Sequence, residues 1–186
     1  MDINNSLLVA MMFIVLLTMG IGNIVVALAT TVDRRSALRF DAIHTSWMVL
    51  LLLVHLHLFW QVMEILSIEA WSFPGFLYIL AGPILLLFAT NMMVQGAASE
   101  SASDPRGHYF EVARQFFVFL VLLQFWAVGF DLIFGEGFIL MSALSLVMAM
   151  LFLALAYSRS PGVHSSGIVA AWLMYVAAMA LIGMGL

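Results

Sequence analysis

The sequence predicts an all-α fold, a polytopic integral membrane bundle of about six transmembrane helices with both termini on the outer side. Of the 186 residues, 65% are hydrophobic and only 9% are charged, and the mean hydropathy is +1.15. A soluble domain has a far more mixed composition. Apolar runs of roughly 20 residues, the length that crosses a bilayer core as a helix, recur between short polar segments. The placement of the arginines, described below, predicts the same number of spans.

Each apolar run is assigned one span, within a single domain over residues 1–186. The first run follows an N-terminus that lacks a positively charged region, which favours a retained helix over a cleaved signal peptide. The fourth follows the longest polar connection, which is rich in Ser, Ala and Gly and is expected to be a flexible loop. The spans are 7–30, 43–66, 73–94, 113–134, 137–157 and 165–186, and the connections that carry arginine are 31–42, 95–112 and 158–164.

Small residues and a proline add detail to the later spans. In the third span Gly82–Pro83 predicts a kink, because proline removes a backbone donor and clashes with the preceding turn. Small residues on one side of the fifth and sixth spans predict close helix packing. These residues are Ser142, Ser145, Ala149 and Ala156 in the fifth span, and Gly167 and Ala171 in the sixth.

The arginines predict the orientation. All basic residues lie in or beside the connections between odd and even spans, and the other connections carry only acidic charges. By the positive-inside rule the arginine loops are cytoplasmic, in a plasma membrane or a bacterial-type inner membrane. Aromatic residues near the predicted boundaries are typical of interfacial belts. The basic residues are Arg34, Arg35, Arg39, Arg106, Arg114 and Arg159, and the belt candidates are Trp71, Phe73 and Tyr78 outside and Tyr109 and Tyr157 inside.

Several classes of function lack the residues they require. The chain has no cysteine and no lysine, which removes thiolate metal sites, iron–sulfur clusters, a Walker A lysine and a Schiff-base lysine. It has no basic stripe for nucleic acid and no hydrolase motif such as Gly-x-Ser-x-Gly or His-Glu-x-x-His. An enzyme is therefore less favoured than a non-enzymatic membrane protein.

The second span is unusual because it places two histidines within the stretch VHLHLFWQVMEIL, residues 54–66. His55 and His57 are roughly 200° apart on a helix, so they cannot chelate one metal ion, which requires i, i+3 or i, i+4 spacing. The helix has two polar faces, one with His55 and one with His57 and Glu64. Because polar groups in lipid need partners, both faces are expected to contact protein or an aqueous cavity. The second helix is therefore predicted to be central or at a subunit interface.

The fourth span carries Gln124 and Asp131 at heptad spacing, at depths that match those of His57 and Glu64. These residues form a hypothetical polar track from the midplane to the outer surface. Histidine titrates near neutral pH and intramembrane acids mark relays, so the preferred function is a channel or transporter for protons, ions or a small solute. The alternative for each residue is interhelical hydrogen bonding. The track residues are His57, Gln61, Glu64, Gln124 and Asp131, extended inward by Asn23 and Asn91 with Thr90.

Two other interpretations remain open. In the first, His44, His108 and His164 hold a heme or a metal ion at the cytoplasmic side of a redox protein, with His55 as a weaker cofactor candidate. In the second, the chain is an accessory or assembly subunit of a membrane complex, and its polar residues are structural. The preferred interpretation requires no cofactor. Its partners are the lipid bilayer and other copies of the chain, as a homo-oligomer, and not nucleic acid.

Overall fold

The computed structural model describes residues 5–33, 41–68, 71–98, 105–134 and 139–183, and all regular secondary structure within them is α-helix. Six helical segments are long and apolar enough to cross a membrane. These findings confirm the all-α class and the presence of six helices that are long and apolar enough to span a membrane. The helices are α1 (Asn5–Asp33), α2 (Ala42–Trp60), α3 (Val62–Leu66), α4 (Phe73–Ala98), α5 (Pro105–Ile133), α6 (Ile139–Tyr157) and α7 (Pro161–Gly183).

The helix ends differ from the predicted ones mainly around the longest connection. α4 continues to Ala98 and α5 already begins at Pro105, so much of the expected loop 95–112 is helical. Proline is favoured at the first position of a helix, because its fixed φ suits the helix and its missing N–H needs no partner there. The second span is also divided: α2 ends at Trp60, and α3 continues the same span after Gln61.

Two ends of the bundle are defined by charge. The arginine end contains Arg114 and Arg159, and the Arg114 guanidinium lies over the Tyr157 ring at 5.6 Å. The acidic end contains Glu64 and Asp131, which lie within electrostatic range of each other. Several charged residues of the predicted loops lie outside the described residues, namely Arg34, Arg35, Arg39, Glu69, Asp104 and Glu136.

The bundle is organised around α2. It contacts α1, α4, α5 and α7, while α1, α4, α5, α6 and α7 pack in that order as an arc around it. This is the central position that the two polar faces of the second span predict. α2 begins after Asp41, whose carboxylate accepts the backbone N–H of His44 at 2.8 Å. Such N-capping supplies a partner to a backbone donor that the helix itself leaves free.

Trp47 of α2 joins three helices near the arginine end. Its ring meets Phe116 and Phe117 of α5 at 5.6 and 5.2 Å and Phe152 of α6 at 6.0 Å, each in an edge-to-face arrangement. Trp47 and its two α5 partners are almost completely buried. Edge-to-face aromatic pairs stabilise packing beyond the area they bury. We call these four rings the aromatic seal.

A reciprocal pair of hydrogen bonds joins α4 to α5. The Tyr78 hydroxyl donates to the Trp126 carbonyl at 2.6 Å, and the Trp126 indole donates to the Tyr78 carbonyl at 2.7 Å. Gly82 and Gly129 make this possible, because a Cβ at either position would overlap with the Trp126 ring or the Tyr78 hydroxyl. Tyr78 is thus a partly buried packing residue and not the boundary anchor expected from sequence. Likewise, the Gly82–Pro83 step lies inside the continuous helix α4 and serves packing.

We expect Gly82→Ala to destabilise the protein by about 1–3 kcal/mol, the usual cost of overpacking, since the new methyl group would displace Trp126. Thermal unfolding in detergent would measure the loss. Gly22→Ala is the matched control, because a Cβ at Gly22 meets nothing within 4 Å. An equal effect of the two substitutions would show that helix propensity, and not the Trp126 contact, dominates.

Candidate functional site

The inward-facing side of α5 is closed at one end and open at the other. Ala113, Phe117 and Leu120 are buried, whereas Gln124 and Asp131 are only partly buried. At 100° per residue all five lie within a sector of roughly 60°. One face of α5 therefore changes from sealed to open on the way from the arginine end to the acidic end.

α6 shows the same change. Ala149, Phe152 and Ala156 are buried towards the arginine end, and Ser142 and Ser145 on the same side are partly exposed towards the acidic end. α7 repeats it: its buried residues all lie in the first half of the helix, and later inward positions are partly exposed. The opening is therefore a property of the bundle and not of one side chain.

The helix spacing agrees with these exposures. Within the described segments, no Cα of α5 lies within 8 Å of a Cα of α3 or α7, and none of α2 within 8 Å of α6. On α2, Leu53 faces α7, because its carbonyl accepts the Tyr175 hydroxyl at 3.1 Å, while Trp47 faces α5 and α6. His57 and Gln61 project between these two directions. From these exposures and spacings we infer an opening bordered by His57, Gln61, Gln124, Asp131, Ser142 and Tyr175, and we call it the acidic cleft.

The polar track stays a prediction; four of its residues, His57, Gln61, Gln124 and Asp131, lie on the sides of α2 and α5 that face the acidic cleft. Asp131 lies within electrostatic range of both Glu64 and Tyr78, and its Oδ2 accepts the Ser142 hydroxyl at 3.3 Å. Glu64 is largely exposed at the mouth, and His57 is partly buried deeper in. Within the described part of the chain, the His57 ring makes no hydrogen bond, which leaves both nitrogens available.

Asn23 and Asn91 are bonded to each other and lie elsewhere. The Asn23 side-chain N–H donates to Asn91 Oδ1 at 2.9 Å, between α1 and α4. α1 does not contact α5, α6 or α7 in the described structure, so α2 separates this pair from the cleft. The two asparagines do not extend the track, because helical periodicity predicts a face but not the neighbouring helix.

His55 is fully buried on the opposite face of α2 from His57. Its Nδ1–H donates to the Leu51 carbonyl at 2.8 Å, and its Nε2 points at Gly20 of α1, where even a Cβ would overlap with the ring. A heme iron has no room at that nitrogen. His55 is therefore a packing residue that requires a glycine opposite it.

The three histidines proposed as metal ligands do not converge. Among the described residues, no group of three or more His, Cys, Asp or Glu side chains could hold a metal ion. His44 donates from Nε2 to the Met93 carbonyl at 3.0 Å, and His108 donates from Nε2 to the adjacent Met92 carbonyl at 3.2 Å. These bonds fasten α2 and α5 to α4.

His164 has both ring nitrogens engaged. Nδ1 accepts the Tyr109 hydroxyl at 2.7 Å, and Nε2–H donates to the Ser158 carbonyl at 3.1 Å. Because the carbonyl can only accept, Nε2 carries a proton. Tyr109 and His164 are completely buried, and Tyr109 is therefore not the boundary tyrosine expected from sequence. We call the Tyr109–His164 hydrogen bond the latch. Together with the aromatic seal, the latch closes the arginine end.

The sequence matches no protein-family model and no curated protein, and the fold matches no solved structure.

Cysteine labelling tests the opening directly, since the chain has no native cysteine. We expect Ser145→Cys to react with a membrane-impermeant maleimide at least about tenfold faster than Ala149→Cys, because only exposed thiolates react readily. Ala149 is the matched control: it lies one turn deeper on the same side of α6 and is buried. Equal rates in reconstituted vesicles would mean that the cleft does not hold water.

Proposed function

We propose that this protein is a transporter that carries protons or small cations, and that its acidic cleft opens to the outer side of the membrane. The observation that carries the proposal is the asymmetry of the bundle: polar, partly exposed inward faces at one end and a dry aromatic closure at the other. Polar groups facing apolar lipid are costly, so a cleft lined by carboxylate, imidazole and amide groups is better matched to water.

Charge supports a cationic substrate. Glu64 and Asp131 lie within electrostatic range of each other at the acidic end, and every basic residue of the sequence except the histidines lies at or near the other end of its span. A cleft with one sign of charge and apolar walls concentrates ions of the opposite sign. His57, partly buried and without a hydrogen bond in the described structure, has ring nitrogens that can exchange protons with water in the cleft.

The closure favours a transporter over an open channel. A proton or cation that moves from His57 towards the arginine end would meet Trp47 with its phenylalanine neighbours and then the Tyr109–His164 hydrogen bond. Passage requires these contacts to separate, as in alternating access, where a gate opens on one side while the other is shut. The positive-inside rule supports a cytoplasmic arginine end, with both termini outside, in a plasma or bacterial-type inner membrane.

In proteoliposomes with a pH-sensitive dye, we expect His57→Ala and Asp131→Asn each to reduce flux by more than roughly tenfold, because each removes an intramembrane group that can hold a proton or a cation. Glu111→Gln is the control carboxylate: it is exposed on α5 near the arginine end and away from the cleft.

Comparable assembly of all variants must be checked by size-exclusion chromatography. Full flux in both cleft variants would remove the proposed pathway. No flux of protons or monovalent cations in the unmodified protein would remove the transport function and favour the accessory role.

Tyr109→Phe tests the latch. This substitution keeps the aromatic ring but removes the hydroxyl group that donates a hydrogen bond to His164 Nδ1. We expect Ala113→Cys, one turn further along α5, to react about fivefold faster from the arginine side, the factor that corresponds to losing about 1 kcal/mol from one hydrogen bond. Tyr157→Phe is the matched control, since Tyr157 is 71% exposed at the same end. If both variants leave the rate unchanged, the latch does not hold the closure.

A further inference from the structure

We propose that a second copy of this chain docks on the α1–α4 face, defined as Thr18, Gly22, Asn23, Val26 and Asn91, to form a symmetric dimer. The side-chain amides of Asn23 on α1 and Asn91 on α4 are hydrogen-bonded to each other at 2.9 Å. Asn23 is largely exposed and Asn91 partly exposed. In a membrane-spanning bundle, this pair borders the lipid.

The pair uses only part of its hydrogen-bonding capacity. Each amide has two N–H donors and one carbonyl acceptor. After the bond between them, Asn91 keeps both N–H groups and Asn23 keeps its carbonyl oxygen, with no other partner in the part of the chain that the structure describes. Asn23 is seven residues from Thr30, the end of its span, or about 10 Å at 1.5 Å per residue. So short a side chain cannot reach the headgroups, as lysine or arginine would.

Beside the amides the surface is shaped for close approach. A Cβ at Gly22 would meet nothing within 4 Å, and Thr18 lies four residues earlier on the same exposed side. Small residues at this spacing let two membrane helices come close enough for their polar side chains to bond. The open space at Gly22 therefore lies next to groups that need partners.

The hydrogen-bonding groups of this face match those of a second copy of the chain. The face carries unused donors on Asn91 and an unused acceptor on Asn23, so a two-fold axis would bring the donors of each copy to the acceptor of the other. Such a self-complementary interface is what closed dimers require. Its five residues carry no charge, so no oppositely charged partner is needed.

Disulfide cross-linking tests the dimer in membranes, using the cysteine-free chain as background. Val26→Cys lies on the proposed face, and Val176→Cys on α7 is the matched control, because the two valines are 64% and 57% exposed. Under mild oxidation we expect a cross-linked dimer for Val26→Cys and little for Val176→Cys. Equal cross-linking of both, or none at Val26 together with a monomeric mass in native mass spectrometry, would overturn the proposal.

A second variant separates docking from folding. Gly22→Leu fills only open space within one copy, so the protomer should fold normally while the close approach is blocked. We expect this change, and Asn91→Leu, to lower the cross-linked fraction of Val26→Cys by about three- to thirty-fold, the range expected for one interhelical polar contact in a membrane. An unchanged fraction in both variants, or a different protein cross-linked at Val26, contradicts the second copy.

Discussion

The structure depends on one kind of contact, a side chain of one helix that donates to a backbone carbonyl of another. His44 and His108 bond carbonyls of α4, Tyr78 and Trp126 exchange such bonds between α4 and α5, and Tyr175 bonds a carbonyl of α2. A helical carbonyl already accepts one N–H but has a second lone pair. In an apolar environment the helical carbonyl oxygen is the acceptor that is always present. A side-chain donor that bonds to this oxygen gains a partner and holds the two helices together. His44 and His108, two of the histidines that suggested a heme or metal site, therefore act in assembly.

With the other four histidines assigned to packing, one histidine remains available for chemistry. Once His44, His55, His108 and His164 have their partners, His57 is the one histidine of the described chain without a hydrogen bond, and it lies in the cleft that also holds Asp131. α2 divides the molecule: its His55 side packs tightly against α1, where Gly20 admits the ring, and its His57 side faces the opening. One helix thus combines a packed face with a polar one.

The sequence predicted what depends on composition and on periodicity along one helix. Length and hydropathy were sufficient for six helices of spanning length. Two polar faces predicted that the second helix is either central or at a subunit interface, and the structure shows the central position. What failed depended on which helices are neighbours. The Asn23–Asn91 pair has the right depth for the track but lies on the far side of α2, and Tyr109 lies near a boundary by position yet is buried by His164. Pro105, in a segment that resembles a loop by composition, begins a helix because the residues after it pack against the bundle.

The two proposals use opposite sides of α2 and are therefore compatible. A dimer through α1 and α4 would hold the half of the bundle that is already cross-linked by the Tyr78–Trp126 bonds and by His44. The cleft, and α7 beside it, would remain free. In the described structure α7 packs against α6 and α2 and reaches α5 through the Tyr109–His164 hydrogen bond, and its buried residues, His164, Gly167, Ile168 and Ala171, all belong to its first half. A helix packed at one end pivots there more easily than a helix packed along its length, since moving its free end breaks few contacts. The latch at His164 thus lies at the more tightly packed end of α7, and the cleft lies beside its less packed end.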